Sequence, residues 1–194
     1  MSNLKLQPGL FAATALFAAA AQAQVLLTVD LSVVNQVTIS ATDGLAANTV
    51  SGDVFIGVYL DNFYAGEGGG LFGDLVSGDL TNAENPSNFE PYLFRSGFGS
   101  DAGLNIYNFS DDPTVTFTAG SLAFVGSATW DLDADEYADM LAGNSSGDIY
   151  FPADSSGDVP NAAFLGTYSV IVPAPGVLPL LGISLGAGVI RRRR

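Results

Sequence analysis

The stretch Val25-Leu26-Leu27-Thr28-Val29-Asp30-Leu31-Ser32-Val33-Val34-Asn35-Gln36-Val37-Thr38-Ile39-Ser40-Ala41 decides the fold. Leu27, Val29, Leu31 and Val33 alternate with Thr28, Asp30 and Ser32. A strand turns successive side chains to opposite faces, so a period of two with one apolar face marks a strand half-buried on a core. Val37, Ile39 and Ala41 keep that phase against Thr38, Ser40 and Thr42, and Asp43-Gly44 signals a turn.

The same period returns downstream. Val54, Ile56, Val58 and Leu60 form a further expected strand, with Phe55 and Tyr59 on its other face and Asp61-Asn62 closing it. A loose stretch follows, carrying Gly66, Gly68, Gly69, Gly70 and Gly73. Leu104 to Phe109 and Thr114 to Thr118 read as short strands, and Ala119-Gly120-Ser121 as a hairpin connection into Leu122, Phe124, Gly126, Ala128 and Trp130. Ile149 to Phe151 and Phe164 to Val172 complete the set. One helix interrupts, expected over 134–142. Asp133 caps it, Glu136 closes a capping box, Tyr137, Met140 and Leu141 share a face, and Gly143 ends it. Short strands divided by Gly, Asn, Asp and Pro clusters indicate an all-β body, a β-sandwich of jelly-roll type with one short helix.

Charge narrows the function. Of the six basic residues only Arg95 lies between residues 24 and 171, whereas all twenty acids do, a net charge of −19 on the body. Nucleic acid is excluded as a partner, because phosphate recognition needs Lys and Arg. The chain has neither His nor Cys. That removes Ser-His-Asp and Cys-His nucleophilic systems and the usual zinc sites. Carboxylate pairs of the glycosidase kind remain available.

Two constellations are candidates for binding. Asp131, Asp133 and Asp135 stand at D-x-D-x-D spacing, and hard oxygen ligands suit Ca²⁺. The EF-hand pattern fails, since Glu136 stands where its loop needs Gly and Ala142 where it needs Glu. The competing reading makes Asp131 a strand end, Asp133 the helix cap and Asp135 a charge at the helix's positive end. Among the aromatics, Trp130, Tyr59, Tyr64, Tyr92 and Tyr107 offer rings that suit sugar faces, though strand aromatics also build cores. Phe63 and Tyr64 are the candidates for stacking on sugar, because their Gly-rich surroundings predict exposure.

Both ends of the chain read as addresses. Residues 1–23 have a positive start at Lys5, a twelve-residue apolar stretch from Leu10 to Ala21, and a small-residue cleavage site at Ala21-Gln22-Ala23, so the mature chain is expected to start at Gln24. Export machinery and signal peptidase are the implied partners. At the other end, Val172-Pro173-Ala174-Pro175 cannot join a helix or a central strand, because proline lacks the donor and fixes φ. The fifteen mostly apolar residues from Gly176 to Ile190 follow, then Arg191, Arg192, Arg193 and Arg194. As a helix, the apolar run is about 22 Å long against a hydrocarbon core of roughly 30 Å. Arginines at the end hold it on the cytoplasmic side. The alternatives are a retained span and a sorting signal that is removed.

The order Pro-x-Pro, short apolar span and terminal arginine cluster resembles the PEP-CTERM sorting signals of Gram-negative bacteria. Ala174 stands where the commonest form has Glu, so the segment resembles the variants with an apolar middle residue. The resemblance is confined to residues 172–194. It implies recognition by an exosortase, a membrane-embedded cysteine transpeptidase-like enzyme, transient residence in the inner membrane, and a link to exopolysaccharide and biofilm. The expected architecture is thus a signal helix (1–23), an acidic β-domain (24–171), and a sorting tail with a hydrophobic helix (172–194). The expected function is that of a non-enzymatic, exported cell-surface or extracellular-matrix protein, structural or adhesive. The alternative is a carbohydrate-binding module, calcium-dependent if the Asp131 set binds; a glycan hydrolase is the third class.

Overall fold

The computed structural model describes residues 23–53, 55–66, 70–85, 91–95, 101–108 and 114–172. The signal segment through Ala21, and the tail residues Pro173, Ala174, Pro175, Arg191, Arg192, Arg193 and Arg194, lie outside the described residues.

Among the described residues there are thirteen strands and one α-helix. The strands are β1 (Val25–Asp30), β2 (Gln36–Ala41), β3 (Val50–Asp53), β4 (Val58–Leu60), β5 (Leu71–Gly78), β6 (Thr81–Asn82), β7 (Pro91–Arg95), β8 (Leu104–Asn108), β9 (Thr114–Phe117), β10 (Phe124–Val125), β11 (Ser127–Asp131), β12 (Ser146–Phe151) and β13 (Ala163–Ile171). The helix, α1, is Ala134–Leu141. No helix among the described residues is long and apolar enough to cross a membrane.

Nine strands close into a barrel in the order β1-β13-β12-β4-β8-β7-β5-β11-β2. Ribbons of β3 with β9 and of β6 with β10 sit outside that ring. The body is all-β, as the alternation indicates, but its main sheet is one closed barrel rather than two facing sheets of a jelly roll. Alternation reports that a strand has one buried face, and both architectures give it that. Closure comes from β1 pairing with β13, in parallel, at the far ends of the body's sequence. Full closure also leaves these strands no free edge.

Several local expectations are corrected. Val33 does not extend the first strand: it and Val34 stand exposed in the turn between β1 and β2, where Asn35 takes φ 60°. The strand expected over 54–60 is divided, because Phe55 and Ile56 form a turn and Gly57 adopts φ 92° before β4 begins. Glycines ahead of β5 conceal its start at Leu71. The 119–121 turn is present, with the Ser121 amide donating to the Thr118 carbonyl at 3.0 Å, but it joins no hairpin. Its flanking strands find other partners, β9 with β3 and β10 with β6. Leu141 is exposed, whereas Tyr137 and Met140 are buried.

Leu27, Val29, Leu31, Val37, Ile39, Leu60, Trp130, Ile149 and Leu165 fill the barrel and are wholly inaccessible. Buried aromatics keep their polar tips paired, as burial demands. Trp130 Nε1 donates to the Pro91 carbonyl (3.0 Å), the Tyr137 hydroxyl to the Leu31 carbonyl (2.6 Å) and the Tyr168 hydroxyl to the Asp61 carbonyl (3.0 Å). One end of the barrel lies beneath α1. At the other, Phe117 packs edge-on against Phe124 and Phe151, with ring centroids 5.2 and 5.0 Å away.

Candidate functional site

Among the described residues, three polar or aromatic assemblies lie outside the barrel interior. The first is under α1, where Asp133 and Glu136 build the capping box. The Asp133 carboxylate accepts from the amides of Asp135 (2.9 Å) and Glu136 (2.8 Å), and Glu136 accepts from the Asp133 amide (2.9 Å). These bonds satisfy donors that a helix start otherwise leaves open. The body's one cation, Arg95, lies beneath, 3% exposed. It donates to Asp139 at 3.2 Å and to the Gly66 carbonyl at 2.7 Å, and its Cζ sits 3.5 Å from the centre of the Tyr64 ring. Its Nε is buried without a hydrogen-bond partner among the described residues. A cavity of about 170 Å³ adjoins it, lined by Tyr64, Leu71, Asp133, Asp135, Glu136 and Asp139.

The calcium candidates do not converge there. Asp131 accepts from Gln36 Nε2 across the β2–β11 pairing at 2.9 Å, and Asp133 is committed to the cap. No group of three or more acidic side chains among the described residues is arranged to hold a metal ion. The exposure expected of Phe63 and Tyr64 is overturned: they are 0% and 3% exposed. Glycine-rich neighbours suggested a surface loop, but α1 closes over it. Asn144 donates from its amide to the Phe63 carbonyl (2.9 Å) and from its side chain to the Asn62 carbonyl (2.6 Å), and the Tyr64 amide donates to the Ala102 carbonyl (2.7 Å). Phe63 then packs on Tyr168, and Tyr64 on Arg95. Burial raises the Tyr64 hydroxyl above its usual pKa, partly countered by the Arg95 charge.

The second assembly surrounds Asp101, a buried carboxylate with no cation beside it among the described residues. Neutral donors satisfy it: the Tyr59 hydroxyl, the Gly103 amide (3.0 Å) and the Ser156 amide (3.1 Å). Burial, then the Asp101 carboxylate, push the Tyr59 hydroxyl far above its usual pKa. Asn105 stitches the adjoining loops, donating to the carbonyls of Ile56 and Ala153 at 2.8 Å each.

The third is a groove of about 210 Å³ on the outer wall, lined by Phe55, Ile56, Phe94, Asn105, Tyr107 and Asp154. Alternation places it: Leu93 points into the barrel, so Tyr92 and Phe94 point out. Tyr92 stands opposite Tyr107 in the β7–β8 register, their rings stacked at 5.5 Å and 27°. Phe94 meets Tyr107 edge-on at 6.3 Å. Asp154 stands at the rim. Burial and a hydrogen bond with Asp158 raise its carboxyl above the usual range, while that same bond lowers Asp158. Sequence reasoning named Tyr92 and Tyr107 but missed Phe55 and Phe94. The Tyr-Leu-Phe alternation over 92–94 was the available signal.

No protein-family model, curated protein or solved structure matches the chain.

Proposed function

We propose that the chain is an exported cell-surface or extracellular-matrix protein with a structural or adhesive barrel, sorted through its 172–194 tail. The tail's order of Pro-x-Pro, short apolar run and four arginines carries this reading. Both processing junctions suit it. The Gln24 carbonyl accepts from the Thr167 amide at 2.9 Å, so the residue expected to start the mature chain is tied to the barrel. Because β1 and β13 run parallel, Gln24 and Val172 leave at opposite ends of the barrel. Val172 is 51% exposed, which suits an enzyme that must reach the segment beginning there.

The test is intact-mass spectrometry of secreted and surface-bound protein. The expected species starts at Gln24 and has lost Arg194. Replacing Pro173 and Pro175 with Ala should leave full-length protein in the inner membrane. Surface protein that still ends in Arg194 would refute sorting and make residues 176–190 a permanent span.

A second reading is saccharide binding by the barrel wall, the most direct means of adhesion to an exopolysaccharide. The outward-facing aromatic groove between β7 and β8 favours it.

A further inference from the structure

We propose that the groove on the outer wall of β7 and β8 binds a neutral pyranose, with Phe55, Phe94 and Tyr107 against the apolar face of the sugar ring and Asp154 accepting its hydroxyls. The inference rests on the saccharide-binding reading and names its site and ligand class.

Ring geometry comes first. A pyranose presents C–H groups on one face and hydroxyls around its edge, so it needs aromatic surface beside an acceptor. The groove supplies both: three aromatic side chains and one carboxylate among its lining residues. Phe55 is 42% exposed. The rings are also preorganised. Tyr107 is fixed by its stack with Tyr92 and its edge contact with Phe94, on strands whose backbones are paired on both sides. Asn105 ties the 53–57 turn and the Ala153 segment to β8, so the walls bearing Phe55 and Asp154 are tethered to the same strand. Little conformational freedom then remains to be lost on binding.

Size and charge choose the ligand. Drug-sized ligands occupy pockets of roughly 300–1,000 Å³. About 210 Å³ suits a single ring with its neighbours running out along the wall. No cation lines the groove, and Arg95 is buried beneath α1. A uronate, sulfated or phosphorylated glycan would meet Asp154 and a body of net charge −19 with nothing to pair its charge. Neutral sugars avoid that repulsion, and their hydroxyls can donate to Asp154.

Isothermal titration of the secreted protein with cellohexaose, mannohexaose and a hexauronate, each with and without EDTA, tests the proposal. At least one neutral hexasaccharide should bind saturably and independently of EDTA, and the hexauronate should not. Phe55→Ala and Phe94→Ala should each weaken binding about tenfold, the loss of one ring's contact. Asp154→Asn should weaken it about threefold to tenfold, one hydrogen bond's worth. Phe55→Ala removes a partly exposed ring, and an unchanged Tm confirms that the variant is folded. Neutral-sugar binding undiminished by all three substitutions would overturn the groove while sparing the saccharide-binding reading. No binding of any of the three hexasaccharides would overturn both. Binding of the hexauronate alone would overturn the ligand class.

Discussion

The two ends of the barrel are closed by different physical means. Beneath α1 the closure is polar: a capping box, a buried guanidinium held by a half-exposed carboxylate, and side-chain bonds to loop carbonyls. At the opposite end three phenylalanines meet edge to face, and β3 with β9 and β6 with β10 wrap around them. One closure depends on charge and is therefore weakened by salt screening. The other depends on area removed from water and on shape, which screening does not weaken. In a body with twenty acids and one cation, this division puts the ion pair seen among the described residues on the same helix that the capping box starts.

Replacing Phe117 with Ala should have the largest effect, a loss of about 4 kcal/mol, because it empties the centre of the aromatic end. Chemical denaturation at low and high salt should return the same loss at both, and a salt-dependent loss would break the contrast. Asp139→Ala should cost about 2 kcal/mol, since it leaves the Arg95 charge buried and less compensated, though Asp139 is itself half exposed. Arg95→Met should change stability by less than about 1 kcal/mol, because it removes the buried charge along with its bonds. Equal losses from these two variants would show that the guanidinium bonds, not the charge, hold the helix end. Asp133→Ala should cost about 1 kcal/mol through lost capping, read from the same unfolding curves.

The smallest effect is that of pH. Burial, reinforced by the nearby Asp148 and Asp101 carboxylates, raises the Asp61 carboxyl above its ordinary value. Asp154 is raised as well, by burial first. A raised acid holds its proton more firmly in the folded state, so stability grows as pH falls through the window just above 3.8 and is lost as pH climbs back. Asp158, which is lowered, acts oppositely, and its contribution disappears on further acidification. The Tm should therefore rise modestly as pH falls toward 3.8, and Asp61→Asn should flatten the rise. A Tm falling steadily over that range would contradict the burial of Asp61.

The helix end was the more legible of the two in the sequence. Its signals are local: Asp133 and Glu136 stand three apart, and side chains within one turn of a helix meet whatever surrounds them. Gly143 was expected to end α1, and it does follow directly on the C-terminal cap at Ala142. The aromatic end was not legible. Phe117 and Phe124 are only seven residues apart, but Phe151 joins them because β12 is brought to β9 and β10 from a distant part of the chain. The sugar candidates failed on the same ground. Phe63 and Tyr64 look like loop residues, and their burial follows from α1, encoded some seventy residues later. For Tyr92 and Tyr107 the sequence offered two aromatics without a relation, and the β7–β8 register made them a stacked pair.

The sequence by itself determined the all-β character, the position and cap of α1, the acidity of the body, and the two terminal motifs, because each is written in residue types or in spacings of a few positions. Tertiary structure alone decided that the sheet closes into a barrel, that Arg95 is buried against Tyr64 and Asp139, and that Phe55, Phe94, Tyr107 and Asp154 share one groove. Those outcomes depend on which strands pair and at what register, and a period of two is the same for every partner a strand might take.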